Sequence, residues 1–481
     1  MKITGTLPAN SRVRVSGHDV HTITSYNEPE RHKRLALDDL SNAIPTHDAF
    51  EQAAAAVKRI VTTPDFHAGK PVPVGVTMSI EGAAMPHVIG NDIGCGMRMV
   101  VLNDVTEDDL AVSALDGHLR HVHFQGSRNI ALSGRQRHAI LKEGIPGLLE
   151  ALAGDAKGLL GNLELTAAWR DVSRTCDDGF FPSVDIDNGF LEYGNLTDGY
   201  RYDAILGSIG GGNHFVELGV IDKIVDSTFA MAAGVKAGAV VMVVHSGSLD
   251  FGQYVGSTTK GRMRGLARHG DQRILSAEHH TDELQRFLNG QANAVNIAFA
   301  NRFLIGLATI HAVEKALGKR VDARLIYDAP HNVIWSDGNT YMHRKGSCPA
   351  RGQGFQHGSP YEWLGEPVIL PGSMGDGTWL LRGLGNEETL KSAAHGAGRR
   401  LSRQEARAEA NHPADLQVIT PIDLNAPEVR CRADIVREIV GRLKEESPDA
   451  YRPIENVVAP MEDTGMVNKV AKVRPVITVK G

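Results

Sequence analysis

Apolar runs of strand length alternate along this chain with stretches of helical periodicity, and the two kinds are intermixed from end to end. Residues 46–60 (THDAFEQAAAAVKRI) predict an amphipathic helix with Thr46 or His47 near its start. Ile60 to Thr63 then reads as a short strand running into Pro64-Asp65-Phe66-His67-Ala68-Gly69. Val88 to Leu102 mixes apolar residues with glycine and ends in a strand from Met97. Residues 134–170 read as mostly helical, and 172–200, rich in Asp, Gly and Asn, as a surface excursion. Ala239 to Val244 is a continuous, β-branched apolar run, the pattern of a strand buried on both faces. Long helical periodicity covers 274–318, a strand follows at Arg324 to Tyr327, and helices are expected near 401–411 and 432–446. No linker interrupts the mixture. The expected fold is one large α/β or α+β domain, residues 1–481, with helical insertions.

Composition narrows the function. The chain has 481 residues, 42% of them hydrophobic, enough for a sizeable core. Its net charge of −6 is not that of a general electrostatic nucleic-acid binder, so any RNA contact requires a local basic patch. Cys95, Cys176, Cys348 and Cys431 are too widely spaced for a zinc ribbon or a disulfide framework. Met1 to Gly5 carries no apolar signal-type run. The most apolar stretch, Ala294 to Leu317, holds Asn296, Asn301, Arg302, His311 and Glu314, which marks a buried helix, not a membrane span. A soluble, cytoplasmic protein without membrane contact is expected.

Asp92-Ile93-Gly94-Cys95-Gly96 sets a carboxylate and a thiol three residues apart among glycines. That is a poor core segment, but it suits a bent backbone that turns two ligands to one place. Thiolate is the metal-binding form of cysteine, and an aspartate beside apolar neighbours needs a partner. His214 follows three glycines, His245 ends the apolar run, and His331 follows a strand and Pro330. A lone histidine is more often a satisfied structural group, and a lone cysteine a small buried hydrophobe. The set is stronger than its members. It suits Zn2+ or a borderline ion such as Mn2+, Fe2+ or Co2+, and its five donors exceed one tetrahedral site. His395-Gly396-Ala397-Gly398 precedes a basic segment, Arg399 to Arg403. Glycine-rich backbone at a helix start cradles phosphate, and a histidine there serves as ligand, acid–base group or nucleophile. The plainer reading is a terminal histidine beside solvated arginines.

These segments, in this order, resemble the RtcB family of RNA-splicing ligases. The matching stretches are Pro64 to Gly69, DIGCGM from Asp92, GNHFVE from Gly212, His245 to Ser248, His331-Asn332, Arg344 to Gly346, PGSMG from Pro371, Arg382 to Glu388, HGAGR from His395, and Val479-Lys480-Gly481. The resemblance implies a single catalytic domain with mixed sheets around a metal-containing cleft. It implies a GTP- and Mn2+-dependent ligase that joins RNA 3′-phosphate or 2′,3′-cyclic phosphate ends to 5′-hydroxyl ends, in tRNA splicing or RNA repair. Cys95 would bridge two Mn2+ ions, with Asp92 and His214 on one and His245 and His331 on the other. His395 would attack GTP and carry GMP to the RNA 3′-phosphate. The guanylate pocket would draw on Asn213, His214, Phe215, Val216, Glu217, His331 and Asn332. It would also use Pro371, Gly372, Ser373, Met374, Thr378, the loop His395, Gly396, Ala397 and Gly398, and Lys480. A monomer is expected, with RNA and GTP as partners. Arg344, Lys345, Arg351, Arg399 and Arg403 are candidate RNA contacts.

Two loops depart from the family pattern. After His245-Ser246-Gly247-Ser248 an arginine is expected, and Leu249-Asp250 stands there; after Gly375 comes Asp376. These changes point to a divergent paralogue. The competing readings are a dinuclear phosphoesterase or nuclease and a non-catalytic RNA-end binder. Hydrolysis needs neither His395 nor Lys480, which favours the ligase.

Overall fold

Two sheets carry the fold, and nearly every strand pair in them is antiparallel. The computed structural model of the protein describes residues 7–46, 55–266, 273–411, 413, 416–424 and 426–481. The larger sheet has the spatial order Ala323–Pro330, Gly96–Leu102, Val240–Ser246, Phe215–Ile224, Val467–Val479, Thr378–Gly383, Pro367–Pro371. Gln417–Ile419 adds in parallel beside Val467–Val479. The second sheet runs Asn10–Val15, His18–Ile23, Val57–His67, Val74–Glu81, Thr340–Lys345, Asn332–Asp337. The class is therefore α+β, with mixed sheets as expected.

Val240 to Val244 is wholly buried, as its β-branched run foretold, although antiparallel sheets commonly wet one face. Two contacts explain this. The helix Thr281–Leu317 lies on the sheet, and the edge strands Ala323–Pro330 and Pro367–Pro371 touch, so the sheet curls and encloses its inner face. That helix has 37 residues, and its most apolar window is 83% buried inside the protein. The helices Ala114–Phe124 and Gly134–Leu152 pack against it in turn. Smaller cores lie under the second sheet, around Leu40, Ile60 and Met78, and around Trp379, Val458 and Met461.

Several elements differ from the sequence expectations. Most of the helix expected over 46–60 lies outside the described residues. From Val57 the chain is already a strand, which runs to His67 because Val74–Glu81 and His18–Ile23 pair with its two edges. The stretch 134–170, mostly helical as expected, holds two helices. Gly134–Leu152 opens on a Ser133–Gln136 capping box and bends at Gly144, where φ is 59°. Leu165–Val172 resumes after a short strand and turn. Residues 172–200 are irregular and largely at the surface, as expected, but are anchored inward. Cys176, Phe181, Ile186 and Phe190 are buried in the main core. The expected helices near 401–411 and 432–446 are Arg403–Glu409 and Ala433–Glu445.

Candidate active site

Register alone gathers the metal-type donors. Gly96 lies opposite both Ser246 and Pro330, and Phe215 lies opposite His245. Cys95, His214, His245 and His331 therefore sit at one end of four adjacent strands. Main-chain bonds lock the crossing: His331 N donates to Cys95 O at 2.7 Å and Gly94 N to Asn332 O at 3.0 Å. The glycines are required by space. At Gly94 (φ 74°) a Cβ would come 2.8 Å from Ala298 Cβ, and at Gly96 one would come 2.4 Å from Ala329 O.

Cys95 Sγ is 3.3 Å from His214 Nε2 and 3.2 Å from His245 Nε2. Asp92 Oδ2 lies 3.0 Å from His214 Nε2. The His331 ring centroid is 5.2 Å from that of His245. His245 Nδ1 faces the carbonyl of Asn213 at 3.1 Å, so it donates there and leaves the Nε2 lone pair toward Cys95. Burial, then neighbouring positive groups, hold His245 and His331 well below the ordinary imidazole range, in the neutral, ligating form. Burial and the charge of Asp92 raise the Cys95 thiol. Nδ1 of His214 and of His331 is buried without a hydrogen-bond partner. A thiol, a carboxylate and neutral imidazoles, converging with unsatisfied buried nitrogens, fit a transition-metal centre.

A cleft of about 690 Å3 opens beside these donors. His395 faces into it, its ring 4.6 Å from that of His331. Its Nδ1 is 2.6 Å from Asp65 Oδ2, and Thr63 also donates to Asp65. Burial alone would raise the Asp65 carboxyl; the hydrogen bond and charge of His395 outweigh it and leave the group below its usual range. A carboxylate on Nδ1 fixes the tautomer and leaves Nε2 as the free nucleophilic nitrogen. Asp65 was not foreseen as a site residue. Its signal was an acid just after the strand-like run Ile60 to Thr63; it is fully buried within Val57–His67.

The same cleft is lined by Asn213, Phe215, Glu217 and Asn332, by Pro371 to Met374, by Gly396 to Gly398 and by Lys480. His214 and Thr378 stand just behind its wall. Thr378 Oγ1 donates to Glu217 Oε1 at 3.4 Å. Val216 does not face the cleft: strand alternation turns its side chain into the main core. Burial pushes Glu217 up to about 8. Lys480 is no frayed tail. It follows the central strand Val467–Val479, and its Nζ donates to His214 O at 3.2 Å.

Two sequence expectations need correction. The His395 loop is not at a helix start, since the next helix begins at Arg403. Arg344 and Arg351 are structural and off the cleft. Arg344 is buried against Ser392 and Trp335, and Arg351 is tied to Glu366 and Asp177. Lys345, Arg399 and Arg403 do line it. The two acids of the divergent loops leave it alone: Asp250 opens the helix Asp250–Leu266, and Asp376 accepts from Ile454 N at the start of Ile454–Asp463.

Residues 49–481 match the family model described as tRNA-splicing ligase RtcB. The tRNA-splicing ligase RtcB of Methanococcus maripaludis is 29% identical over 478 residues, covering 92% of this chain and 94% of that protein. That of Pyrobaculum aerophilum is 30% identical, covering 88% and 87%. The RNA-splicing ligase RtcB2 of Escherichia coli is 29% identical, covering 88% of each.

Proposed function

Because this chain belongs to the RtcB family of tRNA-splicing ligases, we propose that it joins RNA 3′-phosphate or 2′,3′-cyclic phosphate ends to 5′-hydroxyl ends, consuming GTP. The observation that carries the reading is His395. It is held by Asp65 and faces a cleft shared by the metal-type donors and Glu217. Glu217 accepts N1–H and the exocyclic amine of guanine, a pair of donations adenine cannot make. Nε2 of His395 attacks the α-phosphorus; the N–P bond forms and the bond to pyrophosphate breaks. An oxygen of the RNA 3′-phosphate then takes the GMP and frees His395. The 5′-hydroxyl next attacks the 3′-phosphorus; the phosphodiester bond forms and the bond to GMP, now a competent leaving group, breaks. A cyclic phosphate is first opened by water to the 3′-phosphate. Two Mn2+ ions held by Asp92, Cys95, His214, His245 and His331 would supply charge neutralisation at the phosphate oxygens.

Incubation with α-labelled GTP and Mn2+ tests the scheme. The expected result is covalent GMP that is absent in His395→Ala, followed by ligation of RNAs with the stated ends. No adduct, together with phosphate release from RNA ends, would replace the ligase with a phosphoesterase.

A further inference from the structure

The largest wholly buried side chain among the described residues is an arginine, Arg302, on the helix Thr281–Leu317. Its Nε and Nη2 both lie 2.8 Å from Asp328 Oδ1. Its Nη1 donates to two main-chain carbonyls, Gly94 O at 2.7 Å and Ser246 O at 3.1 Å. Gly94 precedes Cys95, and Ser246 follows His245. Asp328 is also wholly buried, lies three residues before His331, and takes a second ion pair from Arg98 at 3.3 Å. One guanidinium thus fastens the backbone beside Cys95 and His245 to the strand that leads into His331.

Stability alone does not account for this. Desolvating a buried ion pair costs several kcal/mol per ion, and apolar residues of similar volume often serve a core as well or better. The guanidinium fork is instead suited to holding several acceptors at fixed relative positions, which a lysine ammonium does not do. We propose that Arg302 is a positioning residue for the metal centre, fixing the relative placement of Cys95, His245 and His331 from beneath, with Asp328 holding Arg302 in turn. This rests on reading the Cys–His–Asp cluster as a metal site.

The test is Mn2+ binding to the full chain without GTP. Affinity is read by titration calorimetry, the coupling of bound ions by electron paramagnetic resonance, and folding by thermal unfolding of the metal-free protein. Arg302→Lys keeps the charge and loses the fork. It is expected to fold and to bind Mn2+ tenfold to a hundredfold more weakly, the range for lost outer-sphere support, with an altered spectrum. A folded Arg302→Lys with wild-type affinity and spectrum overturns the proposal. Should that variant fail to fold, the triple variant Arg302→Met, Asp328→Leu and Arg98→Met, which removes the whole buried ion cluster, decides by the same two readings. A wild-type protein that binds no Mn2+ overturns the metal reading itself, and this inference with it.

Discussion

If the cleft takes guanine as proposed, Glu217 must lose a proton on binding, and affinity for guanine should depend on pH. Burial puts its carboxyl at about 8, and Thr378 is its one hydrogen-bond donor among the described residues. At pH 7 the empty site therefore holds a carboxylic acid. To accept two donors from guanine it must lose that proton, at about 1.4 kcal/mol at pH 7 and about 2.7 kcal/mol at pH 6. Affinity should rise about tenfold from pH 6 to pH 7, then flatten above pH 8. The assay is equilibrium binding of guanosine, which brings no phosphate that titrates in this window, to metal-free protein between pH 6 and 8.5. Glu217→Gln cannot titrate, so its weaker binding should be level with pH. A level wild-type profile, or the same slope in Glu217→Gln, would refute the reasoning. Stability gives the matching sign. The folded pKa lies above the ordinary value of 4.5, so this group's contribution is complete below about 4.5 and is lost as pH rises through about 8. Glu217→Gln should accordingly flatten the fall in Tm of the empty protein across that range.

Two further outcomes follow from the cleft and its surroundings. Asp65→Asn removes the charge that orients His395, and single-turnover guanylylation should slow by about 10²-fold or more while guanosine binding persists; a rate within a few-fold of wild type would leave Asp65 without a role. Arg351→Ala strands the wholly buried Glu366 and should cost about 3–5 kcal/mol in urea unfolding. A loss under 1 kcal/mol would mean the network relaxes freely, and a raised KM for RNA in folded protein would restore Arg351 as a substrate contact.

The donors were legible in the sequence because each carries a local mark: glycines at Cys95 and His214, and strand ends at His245 and His331. Their convergence was not, since it depends on the pairing of Gly96 with Ser246 and Pro330, residues far away in the chain. Asp65 and Arg302 went unread for a related reason. An acid just after a strand-like run or an arginine in an apolar helix announces that it needs a partner, but not which one. The basic candidates failed the other way. Nothing local separates Arg344 and Arg351, turned inward to Ser392 and Glu366, from Arg399 and Arg403, turned to the cleft. The helix expected to reach residue 60 lost to tertiary pairing, because the strand from Val57 has a partner on each edge. The stretch 172–200 is surface-exposed over much of its length, as its Asp, Gly and Asn content suggested, but the sequence did not show that Cys176, Phe181, Ile186 and Phe190 anchor it in the core.

The strand Val467–Val479 lies between two groups of strands that precede it in the chain. The four on one side hold Cys95, His214, His245 and His331 at or one residue beyond one end, with Asp92 in the loop before Cys95; the two on the other side, with the strand's own end, carry Thr378, Pro371 and Lys480. Its pairing with Phe215–Ile224 spans some 250 residues of chain, and that of Gly96–Leu102 with Ala323–Pro330 some 220 to 230, so the site rests on contacts between distant parts of the sequence. The pairings of this one strand therefore bring Thr378, Pro371 and Lys480 toward the cleft that Glu217 and the metal-type donors line from the other side. Under the proposed reading, a chain in which this strand stayed unpaired would keep its candidate metal ligands together but lack Lys480 at the cleft.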